Sequence, residues 1–242
     1  MNMNDKIHEE ESPLLEFRGI TKVYGTGQAA VVALREIDFS VRKGEFVAVM
    51  GPSGSGKSTC MNILGCLDSP TSGEYFFRGV NVAGLTKGQR ALLRRHYIGF
   101  IFQGYNLLKR TTALENVELP MYYRGTPARE RRELALKALN AVGLTGWETH
   151  TQAELSGGQQ QRVAIARAIV CEPSVLFADE PTGNLDTATS HQIMELLTSL
   201  NRKMGITIVM VTHEQDIALF AGRAIHFLDG RIDNVVHNGG IK

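Results

Sequence analysis

The segment Gly51–Thr59, GPSGSGKST, collects the residue types that hold phosphate, and it follows EFVAVM, an apolar run that reads as a buried strand. A strand, then G-x-x-x-x-G-K-S, then an apolar helix over Cys60–Leu67 is the context a phosphate-binding loop requires. Gly51, Gly54 and Gly56 let the backbone turn tightly and bring its N–H groups to phosphate oxygens with no Cβ in the way. Pro52, Ser53, Ser55 and Thr59 complete the run. A helix starting near Gly56 adds its positive end to the same site. Lys57 can then reach the terminal phosphates as a point charge, and the Ser58 hydroxyl can ligate Mg²⁺. Without its context the run would be a glycine-rich turn; in context it predicts a site for a nucleoside triphosphate.

SVLFADEP (Ser174–Pro181) is a second apolar strand, tipped by Asp179 and Glu180. Beside a phosphate loop, the first carboxylate is placed to hold Mg²⁺ through water and the second to orient or deprotonate an attacking water. LSGGQ (Leu155–Gln159) opens a helix over Ser156–Val170. Ser156 reads as its N-cap, and Gly157 and Gly158 expose backbone N–H groups, a second anion site in the same chain. Taken alone, it is equally a capped helix start.

The elements that must position these residues follow from periodicity. Strands are expected over Leu14–Tyr24, Val31–Val41, Glu45–Met50, Gly73–Phe77, Ile98–Phe102, Val175–Ala178 and Ile206–Val211, with a terminal hairpin of Ala224–Leu228 and Arg231–Val235 about Asp229-Gly230. Helices are expected over Thr86–His96, Thr112–Leu119, Pro127–Val142, Thr187–Met204 and Glu214–Phe220. Strands alternating with helices in the carboxyl-terminal part imply a parallel sheet with crossovers. The amino-terminal strands imply an attached antiparallel layer, and residues 86–155 an inserted helical lobe.

A chain of 242 residues suits one large α/β domain or two small ones. Lys+Arg 26 against Asp+Glu 25 leaves a net charge of +1, which gives no electrostatic case for nucleic acid. The clusters Arg94-Arg95-His96 and Arg129–Arg132 fall on helical patterns and read as solvated faces. Cys60, Cys66 and Cys171 form no C-x-x-C pair and read as small buried hydrophobes. The first dozen residues, MNMNDKIHEEES, are polar and acidic and predict neither a secretion signal nor an anchor. No apolar run approaches the ~18 residues of a membrane span, so membrane association is expected through a partner.

In the order phosphate loop, Gln103, LSGGQQQR, ADEPTGNLD and VTH, the chain resembles the nucleotide-binding domain of ATP-binding-cassette (ABC) transporters from about Leu14 to Gly230. The resemblance implies an α/β P-loop NTPase cassette: a RecA-like parallel-sheet core, an antiparallel β subdomain and an inserted α-helical subdomain at about 86–155. A single domain over 14–242 would follow a flexible tail over 1–13. By resemblance Tyr24 stacks on adenine, Gln103 contacts Mg²⁺ and water, and Asn184-Leu185-Asp186 crosses a dimer interface. His213 would touch the γ-phosphate, and Ser156, Gly157, Gly158 and Gln159 would complete the ATP site of a second copy. The implied cofactors are ATP and Mg²⁺, with Ser58, Gln103 and Asp179 around the metal.

MNILGCLD, IGFIFQGYNLL, TALENVELP, LSGGQQQRVAIARA and DEPTGNLD are similar to macrolide-export (MacB-type) and lipoprotein-release (LolD-type) ATPases, with cell-division FtsE-type ATPases close by. That branch implies a homodimer across two ATP on the cytoplasmic face of the inner membrane. Its partner would be a permease of MacB/FtsX type, in a 2:2 assembly that reaches a periplasmic adaptor. The permease helix is expected to dock near Tyr105, Leu107, Leu108, Met121, Tyr122 and Tyr123. Cys60 and Glu214 stand where the family has an aliphatic residue and Asp, and neither removes a catalytic atom. A DNA-maintenance ATPase would need long heptad coiled coils and a ribosome-binding ABC protein a second cassette; the chain has neither. An FtsE-like regulator of envelope enzymes, without cargo, remains the alternative.

Overall fold

The computed structural model describes residues 12–238. The expected tail over 1–13 therefore lies, Ser12 and Pro13 apart, outside the described residues. In chain order the elements are β1 (Leu15–Tyr24), β2 (Val31–Val41), β3 (Phe46–Met50), α1 (Lys57–Leu64), β4 (Ser72–Phe77), β5 (Val80–Asn81), α2 (Lys87–Tyr97) and β6 (Ile98–Phe102). There follow α3 (Ala113–Arg124), α4 (Ala128–Ala141), α5 (Gly157–Ile169), β7 (Val175–Asp179), α6 (Thr187–Met204), β8 (Thr207–Val211), α7 (Gln215–Ala218), β9 (Arg223–Leu228) and β10 (Arg231–His237).

A six-stranded sheet runs β10-β9-β3-β8-β7-β6, parallel except for β10, and a four-stranded antiparallel sheet runs β2-β1-β4-β5. Strands β3 and β8 are buried along their whole length, which is why they read as unbroken apolar runs. Alternate side chains still separate. Val47, Val49, Val175, Phe177, Val209 and Val211 join a core with α1 and the antiparallel layer. Ala48, Met50, Leu176, Ala178, Ile208 and Met210 join a second core with helices α3 to α6. Helix α5 lies so close on β6 that a Cβ at Gly99 would come within 2.5 Å of the Ala168 carbonyl oxygen. That approach sets the height of the helix that begins at Ser156.

Within the segment 86–155 the strand expected at Ile98–Phe102 forms as β6, which pairs in parallel with β7 and belongs to the main sheet. Helix α3 does not end at Leu119 but runs through Pro120 to an αL cap at Gly125. An interior proline costs about 3 kcal/mol. Burying Val117 and Met121 on the same helix face, at about 1.5–3 kcal/mol each, offsets it. Strand β5, two residues long, had no alternation to reveal it.

Candidate functional site

The parallel strands end side by side. Across the carboxyl edge of β3, β8, β7 and β6 the chain presents the Gly51–Thr59 loop, His213, Asp179-Glu180 and Gln103, in the order set by the sheet. Ligands of open α/β sheets bind at this edge.

The loop is shaped for close approach. Gly51 has φ +141°, and a Cβ there would come 2.2 Å from the Phe227 carbonyl oxygen. Gly56, at φ +104°, is the N-cap of α1, so the first-turn N–H groups of that helix face the loop. Lys57 is buried among them and its Nζ donates to the Pro52 carbonyl at 2.7 Å. Burial pulls the Lys57 ammonium below its ordinary pKa, against the opposing pull of Glu180 and Asp179. Burial, and next the charge of Glu180, push the Asp179 carboxyl up, while Lys57 lowers it. The Ser55 hydroxyl is buried without a partner among the described residues. An ammonium short of negative charge, a carboxylate short of positive charge and an unpaired hydroxyl fit a phosphate chain carrying a divalent cation. In ¹³C titrations of the free protein, the Asp179 carboxyl should have its midpoint above the ordinary aspartate range, and Lys57→Ala should raise it further. A midpoint at or below that range would contradict the electrostatic account.

Glu180 has φ +45°, a conformation that non-glycine residues avoid at a cost of about 1–3 kcal/mol. Its N–H donates to the Val211 carbonyl (3.0 Å), and its carbonyl accepts from Gly183 (3.1 Å). Its Oε1 lies 2.9 Å from His213 Nδ1. The two residues, drawn from different strand ends, thus form one acid–base pair at the edge. Gln103 packs its side chain over Gly183, where a Cβ would meet Nε2 at 2.6 Å, and its carbonyl accepts from Asn184 (2.9 Å). Glu214 reaches the Thr182 hydroxyl at 3.4 Å.

Tyr24 ends β1 with its ring partly exposed. Its hydroxyl donates to Asp68 Oδ2 (2.9 Å), Lys22 donates to Asp68 Oδ1 (2.9 Å), and Lys22 Nζ stands 4.8 Å from the ring centroid. Burial opposes ionisation of Asp68, but the bonds from Lys22, Ser69 and Tyr24 outweigh it and hold that carboxyl below its usual range. Sequence reasoning missed Lys22 and Asp68: the tyrosine and the aspartate are 44 residues apart, and no spacing rule links them.

LSGGQ lies elsewhere. Ser156 and Gln159 form a reciprocal capping box, which leaves the N–H groups of Gly157 and Gly158 at the open helix end. They line a cavity of about 330 Å³ with Asn184, Leu185 and Asp186, and no residue of 51–59 stands in its wall. Asp186 caps α6, its Oδ1 accepting from Thr189 (3.0 Å). A Cβ at Gly158 would sit 2.6 Å from Thr189 Cγ2, so part of the demand for glycine is packing. The structure therefore brings Ser156–Gln159 to the Asp186 loop and not to its own phosphate loop.

A larger cavity, about 570 Å³, opens between α2, β6, α3 and α5, with Arg94, Phe100, Pro120, Tyr123 and Arg167 in its wall. Of the expected docking residues, Leu107 and Met121 are buried in the core that α3 shares with α4 and α5. Tyr105 is half-buried, its hydroxyl 3.0 Å from where a Gly157 Cβ would stand. Leu108, Tyr122 and Tyr123 are exposed. A helix buries one face only, so consecutive apolar residues cannot all be anchors.

The profile of the ABC transporter family matches residues 34–183. The chain is 48% identical over 224 residues to an uncharacterized ABC transporter ATP-binding protein, MJ1508 of Methanocaldococcus jannaschii, covering 93% of this chain and all of that one. It is 50% identical over 220 residues to the macrolide export ATP-binding/permease protein MacB of Marinobacter nauticus, covering 91% of this chain but only 34% of MacB. Among solved structures, the dimeric post-hydrolysis state of the ATP-binding cassette MJ0796 bound to ADP and Pi superposes with a TM-score of 0.85. It is 42% identical, over 94% of this chain and 100% of that one. The chain belongs to the ABC transporter family and is one of its ATP-binding domains, a cassette ATPase.

Proposed function

We propose that this cassette is the ATP-hydrolysing subunit of a MacB/LolD-type complex. It works as a homodimer with two ATP between its copies, and it drives export or mechanical signalling through an integral-membrane permease of MacB/FtsX type. The observation that carries the reading is the separation of the two anion sites: Ser156–Gly158 open into a cavity that holds none of the chain's own phosphate loop. A two-fold arrangement lets each copy complete the other's site with one patch. The solved dimer of the cassette MJ0796, 42% identical with ADP and Pi bound, supports the same assembly here.

Within each site Lys57 and the loop amides bind the phosphates, and Tyr24 stacks on the base. Glu180, held against His213, accepts a proton from the attacking water as His213 steadies the terminal phosphate. The donors at Ser156–Gly158 of the facing copy offset charge that develops there. Mg²⁺, when bound, neutralises phosphate charge, and Ser58, Asp179 and Gln103 are the residues to hold it. Among the described residues no three His, Cys, Asp or Glu form a metal cage. Mg²⁺ bound to phosphates would need only one or two oxygens from the protein.

No helix among the described residues is long and apolar enough to cross a membrane. In this reading the force passes to a permease. The permease helix docks in the cavity under Pro120 and Tyr123, beside the loop that follows Gln103. The MacB relatives carry ATP-binding and permease functions in one protein of which this chain spans about a third, which supports that pairing. The complex lies at the cytoplasmic face of the inner membrane, in a 2:2 assembly that reaches a periplasmic adaptor through the permease.

Ser156→Arg tests the shared site. It should abolish hydrolysis while ATP binding to the monomer stays within about twofold, because the side chain blocks only the face offered to the other copy. Lost binding by the monomer would mean that LSGGQ serves its own phosphate loop.

A further inference from the structure

Inside helix α5, one turn beyond the Ser156–Gly158 opening, Gln161 is wholly buried. A buried amide is costly unless its polar atoms are paired, and methionine would fill the same volume without that cost. Gln161 Nε2 donates to the Pro181 carbonyl at 2.6 Å, and its Oε1 has no partner among the described residues. The chain therefore keeps a half-satisfied amide for the sake of one bond.

That bond ends on the carbonyl of Pro181, the residue that follows Glu180. The Glu180 turn is strained, at φ +45°, and three hydrogen bonds define it. Its N–H is tied to Val211 on β8, its carbonyl accepts from Gly183, and the next carbonyl accepts from Gln161. The first two arise from the adjacent strand and from the turn itself. Only the third reaches the helix that carries Ser156–Gly158.

We propose that Gln161 is a positioning residue that locks the Glu180 turn to the start of α5, so that the base of one site and the anion-binding helix end lent to the other site move as one body. Gln161 touches neither nucleotide nor reacting atoms. It acts through Glu180, and the inference rests on the assignment of Glu180 made above. A displacement of about 1 Å at a reacting group costs up to about 100-fold in rate, so a lost tether should appear in turnover before it appears in binding.

The test uses the full chain. Gln161→Met fills the space without a donor. It should keep the ATP dissociation constant within about twofold and the melting temperature near that of the parent, lower kcat roughly 10- to 100-fold, and speed amide exchange over residues 180–186. A packing role alone would lower the melting temperature and leave the turnover of the folded fraction unchanged. Gln161→Glu decides the matter even if the methionine variant folds poorly. Its buried carboxyl donates only when protonated, so its kcat relative to the parent should rise as pH falls. Parental kcat in Gln161→Met, or a pH-independent ratio in Gln161→Glu, overturns the proposal. With Glu180→Gln assayed alongside, an inactive Glu180→Gln beside a fully active Gln161→Met rejects the tether alone. Parental turnover in Glu180→Gln rejects both assignments.

Discussion

Glu180→Gln should bind ATP as the parent does while kcat falls about 10²- to 10⁴-fold, the usual range for losing a general base. The substitution keeps the size of the side chain and an oxygen able to stay beside His213 Nδ1, now 2.9 Å from Glu180 Oε1. The left-handed backbone at φ +45° is held by Val211 and Gly183 and should survive. What disappears is the ability to take a proton. With binding intact and cleavage stopped, the triphosphate should hold two copies together, so size-exclusion in ATP should move the variant to a dimer. Turnover equal to the parent's would remove Glu180 from its role, and a monomer despite bound ATP would remove the shared site.

Lys57→Ala should weaken ATP binding by about 2–3 kcal/mol, roughly 30- to 150-fold in dissociation constant, the worth of a buried charge-assisted contact. The side chain is buried and its Nζ lies 2.7 Å from the Pro52 carbonyl, so it both braces the loop and aims a charge into it. Deleting it leaves Asp179 and Glu180 facing the phosphates uncompensated, since Lys57 is the charge that lowers Asp179. Calorimetric titration with a nonhydrolysable ATP analogue measures the loss directly. Affinity within twofold of the parent would show that the backbone amides alone hold the nucleotide.

Local order was legible wherever one element decides it. The alternation in β1 and β2, the apolar runs of β3, β7 and β8, and the capping box at Ser156 all sit within a few residues of what they specify. Helix α3 was misread at its end because Pro120 is a local stop signal, whereas Met121 is buried by distant helices. The expected docking residues divide for the same reason. Apolar residues from 105 to 123 look alike in sequence, and only packing separates core Leu107 and Met121 from exposed Leu108 and Tyr123.

The sequence by itself determined which chemical groups this protein has and which strand or helix end each one caps: glycines and Lys57 after β3, a carboxylate pair after β7, His213 after β8, glycines at the start of α5. Those are matters of residue type and short-range spacing. Tertiary structure alone decided which groups meet. The order β3-β8-β7-β6 puts His213 against Glu180 across 33 residues of chain, and β1 carries Tyr24 to Asp68 across 44. The lie of α5 on β6 keeps Ser156–Gly158 away from the loop they would otherwise serve, and aims Gln161 at Pro181. Sheet order and helix height are set by burying two faces of one sheet at once, a condition on the whole chain that no stretch of it expresses.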